Sequence, residues 1–89
     1  MLFWIYGGSY IQGYNYKRGY LPENFVKAHP EVLVVAPNYR VGVLGSLNLS
    51  SLTNQEEYRF SNNLALLDLV EALRWTQRHI SAFTGDPEN

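Results

Sequence analysis

The chain has 89 residues, 46% of them hydrophobic and 15% aromatic, no cysteine and a formal net charge of −1, which makes one domain at most and excludes a disordered chain. The absence of cysteine excludes a disulfide framework and a cysteine zinc site. With no basic block beyond Lys17-Arg18, and no apolar run that approaches a membrane span, neither electrostatic binding to nucleic acid nor a membrane-spanning segment is expected.

Leu2 to Tyr6 is short, apolar and β-prone and runs into Gly7-Gly8, which predicts a buried strand ending in a glycine turn. Met1 leads straight into Leu-Phe-Trp-Ile. With no basic stretch and no small-residue cleavage site, no signal peptide is read here, and the compartment stays open. Ser9 to Tyr20 mixes Gly, Asn and Tyr without a period and reads as a long surface loop. Pro22 suits a first helical turn, and Glu23 to Ala28 supplies about two turns. His29-Pro30 stops them, because a residue before proline avoids the helical region.

Val32-Leu33-Val34-Val35-Ala36 is the clearest strand. It lacks polar alternation, which predicts a parallel strand covered on both faces. Pro37 ends it. Arg40 to Leu49 is a glycine-punctuated turn region, and Ser50 to Phe60 is a polar loop. Ser61, Asn62 or Asn63 can cap the next helix. From Leu64 to Ile80 the residues Leu66, Leu69, Val70, Leu73 and Ile80 fall at helical spacing, and Leu67 and Trp75 widen the stripe. Phe83-Thr84-Gly85-Asp86-Pro87 is expected to close this helix with Gly and Pro. Alternating β and α elements with apolar strands predict an α/β protein with a parallel sheet. A composition this apolar, without disulfide or metal staples, reads as the interior of a larger globular protein.

Three segments carry a resemblance. Phe3 to Gly13 (FWIYGGSYIQG), Val32 to Leu47 (VLVVAPNYRVGVLGSL) and Ser61 to Asn89 (SNNLALLDLVEALRWTQRHISAFTGDPEN) resemble, in order and near-matching spacing, three motifs of the type-B carboxylesterase/cholinesterase family. They are similar to the oxyanion-hole strand and loop, to the next strand with its Asn-Tyr-Arg-hydrophobic-Gly continuation, and to the helix and Asp-Pro-Glu-Asn segment before the nucleophile strand. The usual form of the first motif has His before Gly-Gly; Tyr6 resembles the cholinesterase branch.

The resemblance implies that residues 1–89 are a fragment of a single carboxylesterase type-B domain, a partial α/β-hydrolase fold whose mostly parallel sheet is flanked by helices. It implies a serine esterase acting on a small-molecule carboxylic ester, with no metal or organic cofactor. It also implies that the rest of the hydrolase chain is needed for folding. No Ser in the chain has Gly two residues before and two after it, so the nucleophile elbow is absent here. Neither His29 nor His79 matches the family's catalytic histidine, and the isolated chain is expected to be inactive.

The same resemblance makes the backbone N–H groups of Gly8 and Ser9 the oxyanion-hole donors, with Gly7 shaping the loop. Donors aimed at the carbonyl oxygen stabilise it as it becomes an anion, and losing one costs roughly 10²–10³ in turnover in a comparable enzyme. Without the other motifs, Gly7-Gly8 reads more readily as a plain strand-ending turn. Tyr10 is the candidate for an aromatic wall of the acyl pocket or its mouth. The other tyrosines of the loop, Tyr14, Tyr16 and Tyr20, are as readily loop packing.

For Arg40 and Asp68 the resemblance implies a buried salt bridge that pins the Tyr-Arg segment to the helix; the alternative is two solvated charges. Either role is structural. Asn48-Leu49-Ser50 is a glycosylation sequon. Ser46, Ser61, Ala65, Leu69 and Thr84 depart from the family's usual residues and mark a divergent member. Two other function classes stand beside the esterase. One is a non-catalytic, cholinesterase-like adhesion protein, which the residue at the nucleophile elbow would distinguish. The other is a nucleotide-binding domain, disfavoured because there is no Gly-x-Gly-x-x-Gly and no Lys-Ser/Thr after the glycines.

Overall fold

A computed structural model describes residues 1–48, 50, 52, 54–56 and 63–89. The elements run β1 (Leu2–Phe3), α1 (Glu23–Ala28), β2 (Val34–Val35), α2 (Val43–Ser46) and α3 (Leu64–His79), followed by a 3-10 turn over Ile80–Phe83. β1 and β2 pair in parallel, Leu2 opposite Val34 and Phe3 opposite Val35. The Leu2 N–H donates to the Leu33 carbonyl and the Trp4 N–H to the Val35 carbonyl, each at 2.8 Å. Parallel strands need a crossover, and the chain between them contains α1.

Both strands are shorter than the apolar runs that contain them. The expectation that β2 is covered on both faces is not met. Val32 to Ala36 are all only half-buried, because each strand has one partner among the described residues and α1 buries none of its residues. α3 and the 3-10 turn face β2 across a hollow of about 330 Å³, lined by Leu33 to Ala36 with Trp75, Ile80 and Phe83. α1 itself forms as its sequence dictates. The Val26 N–H donates to the Pro22 carbonyl at 2.8 Å, and His29, at φ −129°, leaves the helical region before Pro30.

The glycine-punctuated region after β2 contains one helical turn, α2. Gly45 within it is buried, and a Cβ there would lie 2.5 Å from the Arg40 carbonyl oxygen and 3.2 Å from the Ala65 Cβ. Glycine and alanine thus let α2 lie directly on α3. This contact sets the helix face. Ala65, Leu69 and Thr76 are buried on α3, and Ile80 follows them.

The predicted stripe is correct at Leu69 and Ile80 and wrong at Leu66 and Leu73, which are 52% and 49% exposed. Leu67 and Trp75 are also exposed. At the α2 contact the small residues Gly45 and Ala65 allow the closest approach, and the larger Leu66 and Leu67 stand beside it, exposed. Thr76 is tolerated inside because its hydroxyl donates to the Ala72 carbonyl at 2.8 Å.

Of the three candidate caps, Asn63 occupies the N-cap position of α3, while Ser61 and Asn62 lie outside the described residues, as does most of the loop from Ser50 to Phe60. At the other end the left-handed residue is Thr84, at φ 63°, rather than Gly85. The Gly85 N–H closes the turn on the Ile80 carbonyl at 2.9 Å. The core is a cluster of Tyr6, Tyr39, Ala65 and Leu69, with Tyr20 and Val41 packed against it. No helix among the described residues is long and apolar enough to cross a membrane.

Candidate functional site

The chain leaves β1 through Tyr6 and Gly7 and turns sharply. Gly8 has φ +148°, and Ser9 and Tyr10 follow at φ 55° and 61°, two consecutive non-glycine residues in the left-handed region, where few side chains sit. The Gly8 carbonyl accepts from the Ile11 N–H at 3.0 Å and from the Gln12 N–H at 3.3 Å. The turn is closed so tightly that a Cβ on Gly8 would overlap the Gln12 carbonyl oxygen. Gly7 is different: its φ is not positive, and a Cβ there would meet nothing within 4 Å. The turn uses the N–H groups of Ile11 and Gln12. Among the described residues those of Gly8 and Ser9 have no protein acceptor. Gly8 is half-buried, and Gly7 and Ser9 are exposed.

The segment after β2 holds this loop at three points. Tyr6 and Tyr39 stack with ring centroids 4.3 Å apart, and each hydroxyl donates to the other's main chain. The Tyr6 hydroxyl reaches the Tyr39 carbonyl at 2.7 Å, and the Tyr39 hydroxyl reaches the Tyr6 carbonyl at 2.5 Å. The Gly42 N–H donates to the Tyr10 carbonyl at 2.5 Å. Asn15 donates its side-chain amide to the Ala36 carbonyl at 2.6 Å and its N–H to the Asn38 side chain at 2.8 Å. Gly13, at φ +127°, returns the loop onto the Tyr6 ring, where a Cβ would lie 2.7 Å from a ring carbon. Burial, and then the neighbouring hydroxyls of Tyr6, Tyr10 and Tyr20, push the Tyr39 phenol above its ordinary value.

Arg40 continues the frame toward α3. Its Nε donates to Asp68 Oδ2 at 2.8 Å, its Nη2 to Oδ1 at 2.7 Å and its own N–H to Oδ2 at 2.9 Å. The fork is bidentate but not buried: the Arg40 side chain is 47% exposed and that of Asp68 24%. The implied burial is therefore corrected, because no element among the described residues covers the guanidinium. Hydrogen bonding from Arg40 holds the Asp68 carboxyl below its ordinary value against an opposing effect of burial.

Tyr10 stands edge-on to Tyr39, with centroids 6.3 Å apart, and also lines a hollow of about 320 Å³ with Gly45, Ser46, Asn63, Ala65 and Leu66. A larger concavity, about 590 Å³, is lined by Asn38, Tyr39, Arg40, Asp68, Glu71, Ala72 and Trp75 and includes none of the loop glycines. His29 lies beside Glu31 and the Phe25 ring, and His79 against Trp75, so neither histidine belongs to the glycine loop.

Sequence reasoning singled out Gly7, Gly8, Ser9, Tyr10, Arg40 and Asp68 but passed over Tyr39, Gly42 and Asn15. The first two stand inside the Asn-Tyr-Arg-Val-Gly run, where their spacing from Arg40 was a usable signal. Asn15 had none, because it is one polar residue in a long loop.

A parallel β–α–β unit whose first strand ends in a glycine loop is an α/β arrangement, the class in which ligands meet the carboxyl ends of strands. The model of the carboxylesterase family matches residues 1–89, and the chain belongs to that family. It is similar to a para-nitrobenzyl esterase of Bacillus subtilis, at 42% identity over all of this chain and 17% of the relative. It is also similar to a fumonisin B1 esterase of Sphingopyxis macrogoltabida, at 36% identity over 98% of this chain and 16% of the relative. A bile salt-activated lipase of Mus musculus is 36% identical over all of this chain and 15% of its own length. The chain thus spans about a sixth of the length of the curated relatives it matches. No solved structure matches it significantly.

Proposed function

We propose that this chain is the oxyanion-hole and scaffold segment of a serine carboxylesterase with an α/β-hydrolase fold. The observation that carries the reading is the pair of adjacent main-chain donors, Gly8 N–H and Ser9 N–H, left without a protein acceptor among the described residues by a turn that fixes their directions. Family membership and the hydrolase names of the relatives support the ester-hydrolysis class and give the adhesion-protein alternative no support.

In the proposed reaction a serine outside these 89 residues attacks the carbonyl carbon of a carboxylic ester. The carbonyl π electrons move onto oxygen, and the anion sits before the N–H groups of Gly8 and Ser9, joined by an N–H from the residue after the nucleophile. Collapse of the intermediate expels the alcohol and leaves an acyl-enzyme, which water then hydrolyses. The open side of Gly7 leaves room for substrate, and Tyr10 lines the pocket wall. Arg40 and Asp68 hold the scaffold, and the apolar surfaces left exposed on α3 pack against the remainder of the domain.

The test is ester turnover by the protein encoded by the complete reading frame. Saturable hydrolysis of a short-chain nitrophenyl ester, abolished by a fluorophosphonate, is expected. The 89-residue chain alone is expected to give none. An inactive full-length protein whose nucleophile elbow lacks serine would overturn the reading.

A further inference from the structure

We propose that Tyr39 is a positioning residue of the oxyanion hole: its hydroxyl, by holding the Tyr6 carbonyl, fixes the direction of the Gly8 and Ser9 N–H groups. The inference rests on the esterase reading above.

The peptide group that contains the Tyr6 carbonyl also contains the Gly7 nitrogen, so rotating it swings everything that follows. Gly7 has no side chain and open space beside its Cα, and packing at Gly7 itself cannot resist that rotation. The Tyr39 hydroxyl does resist it, with a bond of 2.5 Å to the carbonyl. Downstream, the Gly42 N–H holds the Tyr10 carbonyl. The two donor residues hang between these anchors, and both anchors come from the stretch 39–42.

Tyr39 is well made for this task. It is 8% exposed, so water cannot compete freely for the carbonyl. Its ring is stacked on Tyr6 and met edge-on by Tyr10, so the hydroxyl has little room to move. Its own carbonyl accepts from Tyr6, and its neighbour Arg40 is forked onto Asp68 of α3. The loop is thereby referenced to a 16-residue helix. Misaligned donors stabilise an oxyanion poorly while leaving ground-state contacts to the substrate's remote groups intact, so the cost falls on kcat.

The experiment is Tyr39→Phe in the full-length protein, with Ile80→Val as a control for lost stability. Tyr39→Phe keeps the ring and its stacking and removes one hydroxyl. We expect kcat to fall about 10- to 100-fold with KM within about twofold, somewhat less than the loss of a whole donor. Affinity for a trifluoromethyl ketone, which mimics the tetrahedral intermediate, falls by a similar factor. Hydrogen exchange at the amides of Ile11 and Gln12, which the turn protects, becomes faster. Ile80→Val lowers Tm without changing kcat.

Unchanged kcat, analogue affinity and loop exchange in a folded Tyr39→Phe protein overturn the proposal. A wild-type protein without ester turnover overturns the esterase reading instead, and the exchange measurement still decides whether Tyr39 holds the loop. Where Tyr39→Phe does not fold, 3-fluorotyrosine at position 39 takes its place. Its hydroxyl is more acidic, so at a pH where its absorbance shows the phenolate and wild-type Tyr39 is still protonated, kcat falls relative to wild type and exchange at the Ile11 and Gln12 amides becomes faster. The absence of both changes at such a pH overturns the proposal.

Discussion

Arg40 grips Asp68 with both its guanidinium and its own backbone N–H, at 2.7–2.9 Å. The side chain thus fixes the main chain at the point where the segment beyond β2 passes α3. The guanidinium is half exposed, so the worth of the pair is discounted for solvent. Asp68→Asn is expected to cost about 1 kcal/mol. The Asp68 carboxyl lies below its ordinary value when folded, so its contribution is complete above the unfolded value of about 4 and is lost as pH falls through the folded one. Urea midpoints of wild type and Asp68→Asn should differ at pH 6 and converge toward pH 2. A gap that persists at the acid end would mean that the charge is not what Asp68 contributes.

Gly7 and Gly8 are adjacent and unequal. A Cβ at Gly8 meets the Gln12 carbonyl and needs φ +148°, whereas one at Gly7 meets nothing. Gly8→Ala is therefore expected to cost about 1–3 kcal/mol and to lower kcat of the full-length protein by at least about 10². Gly7→Ala should stay within about 0.5 kcal/mol of wild type. Thermal melts of the two variants check both stabilities, with turnover of Gly8→Ala checking the donor role, and equal losses of stability would reject the assignment of the turn to Gly8.

Thr84 is a β-branched residue at φ 63°, a conformation that costs an L-residue about 1–2 kcal/mol. Thr84→Gly removes that strain and returns part of the gain as unfolded-chain entropy, for a net stabilisation of about 0.5 kcal/mol. Gly85→Ala moves the other way, because its Cβ would lie 2.5 Å from the Ile80 Cγ1. Denaturant midpoints should rise for the first and fall for the second.

These glycines show what a sequence can disclose. The order of β1, α1, β2 and α3 was legible, because apolar runs, Pro22, Pro30 and the helical spacing after Leu64 each act locally, whereas α2 was hidden in a glycine-punctuated stretch. The glycine loop was legible through its motif. The seam of α3 was not: a period identifies a stripe, but whether Leu66 or Ala65 faces inward depends on Gly45, twenty residues away in sequence. Thr84 hid for a related reason, since the neighbouring Gly85 is the expected left-handed residue and is needed instead for its contact with Ile80. Tyr39 reads as one aromatic among several until its partner, thirty-three residues earlier, is brought beside it.

Leu66, Leu73 and Trp75 on α3, and Ile11 beside the glycine loop, are between 47% and 73% exposed, and each strand of the pair has one edge without a partner among the described residues. Apolar surface of this extent, together with open strand edges, favours association. The 89-residue chain alone should bind the dye ANS and sediment as mixed oligomers at micromolar concentration, while the full-length protein should do neither. Leu66→Glu with Leu73→Lys should suppress association of the short chain, since both side chains already face solvent. In the full-length protein the same pair should lower Tm, because there these positions meet the rest of the domain. A short chain that is monomeric and dye-silent would show that this surface needs no cover, and would remove the packing role proposed for α3.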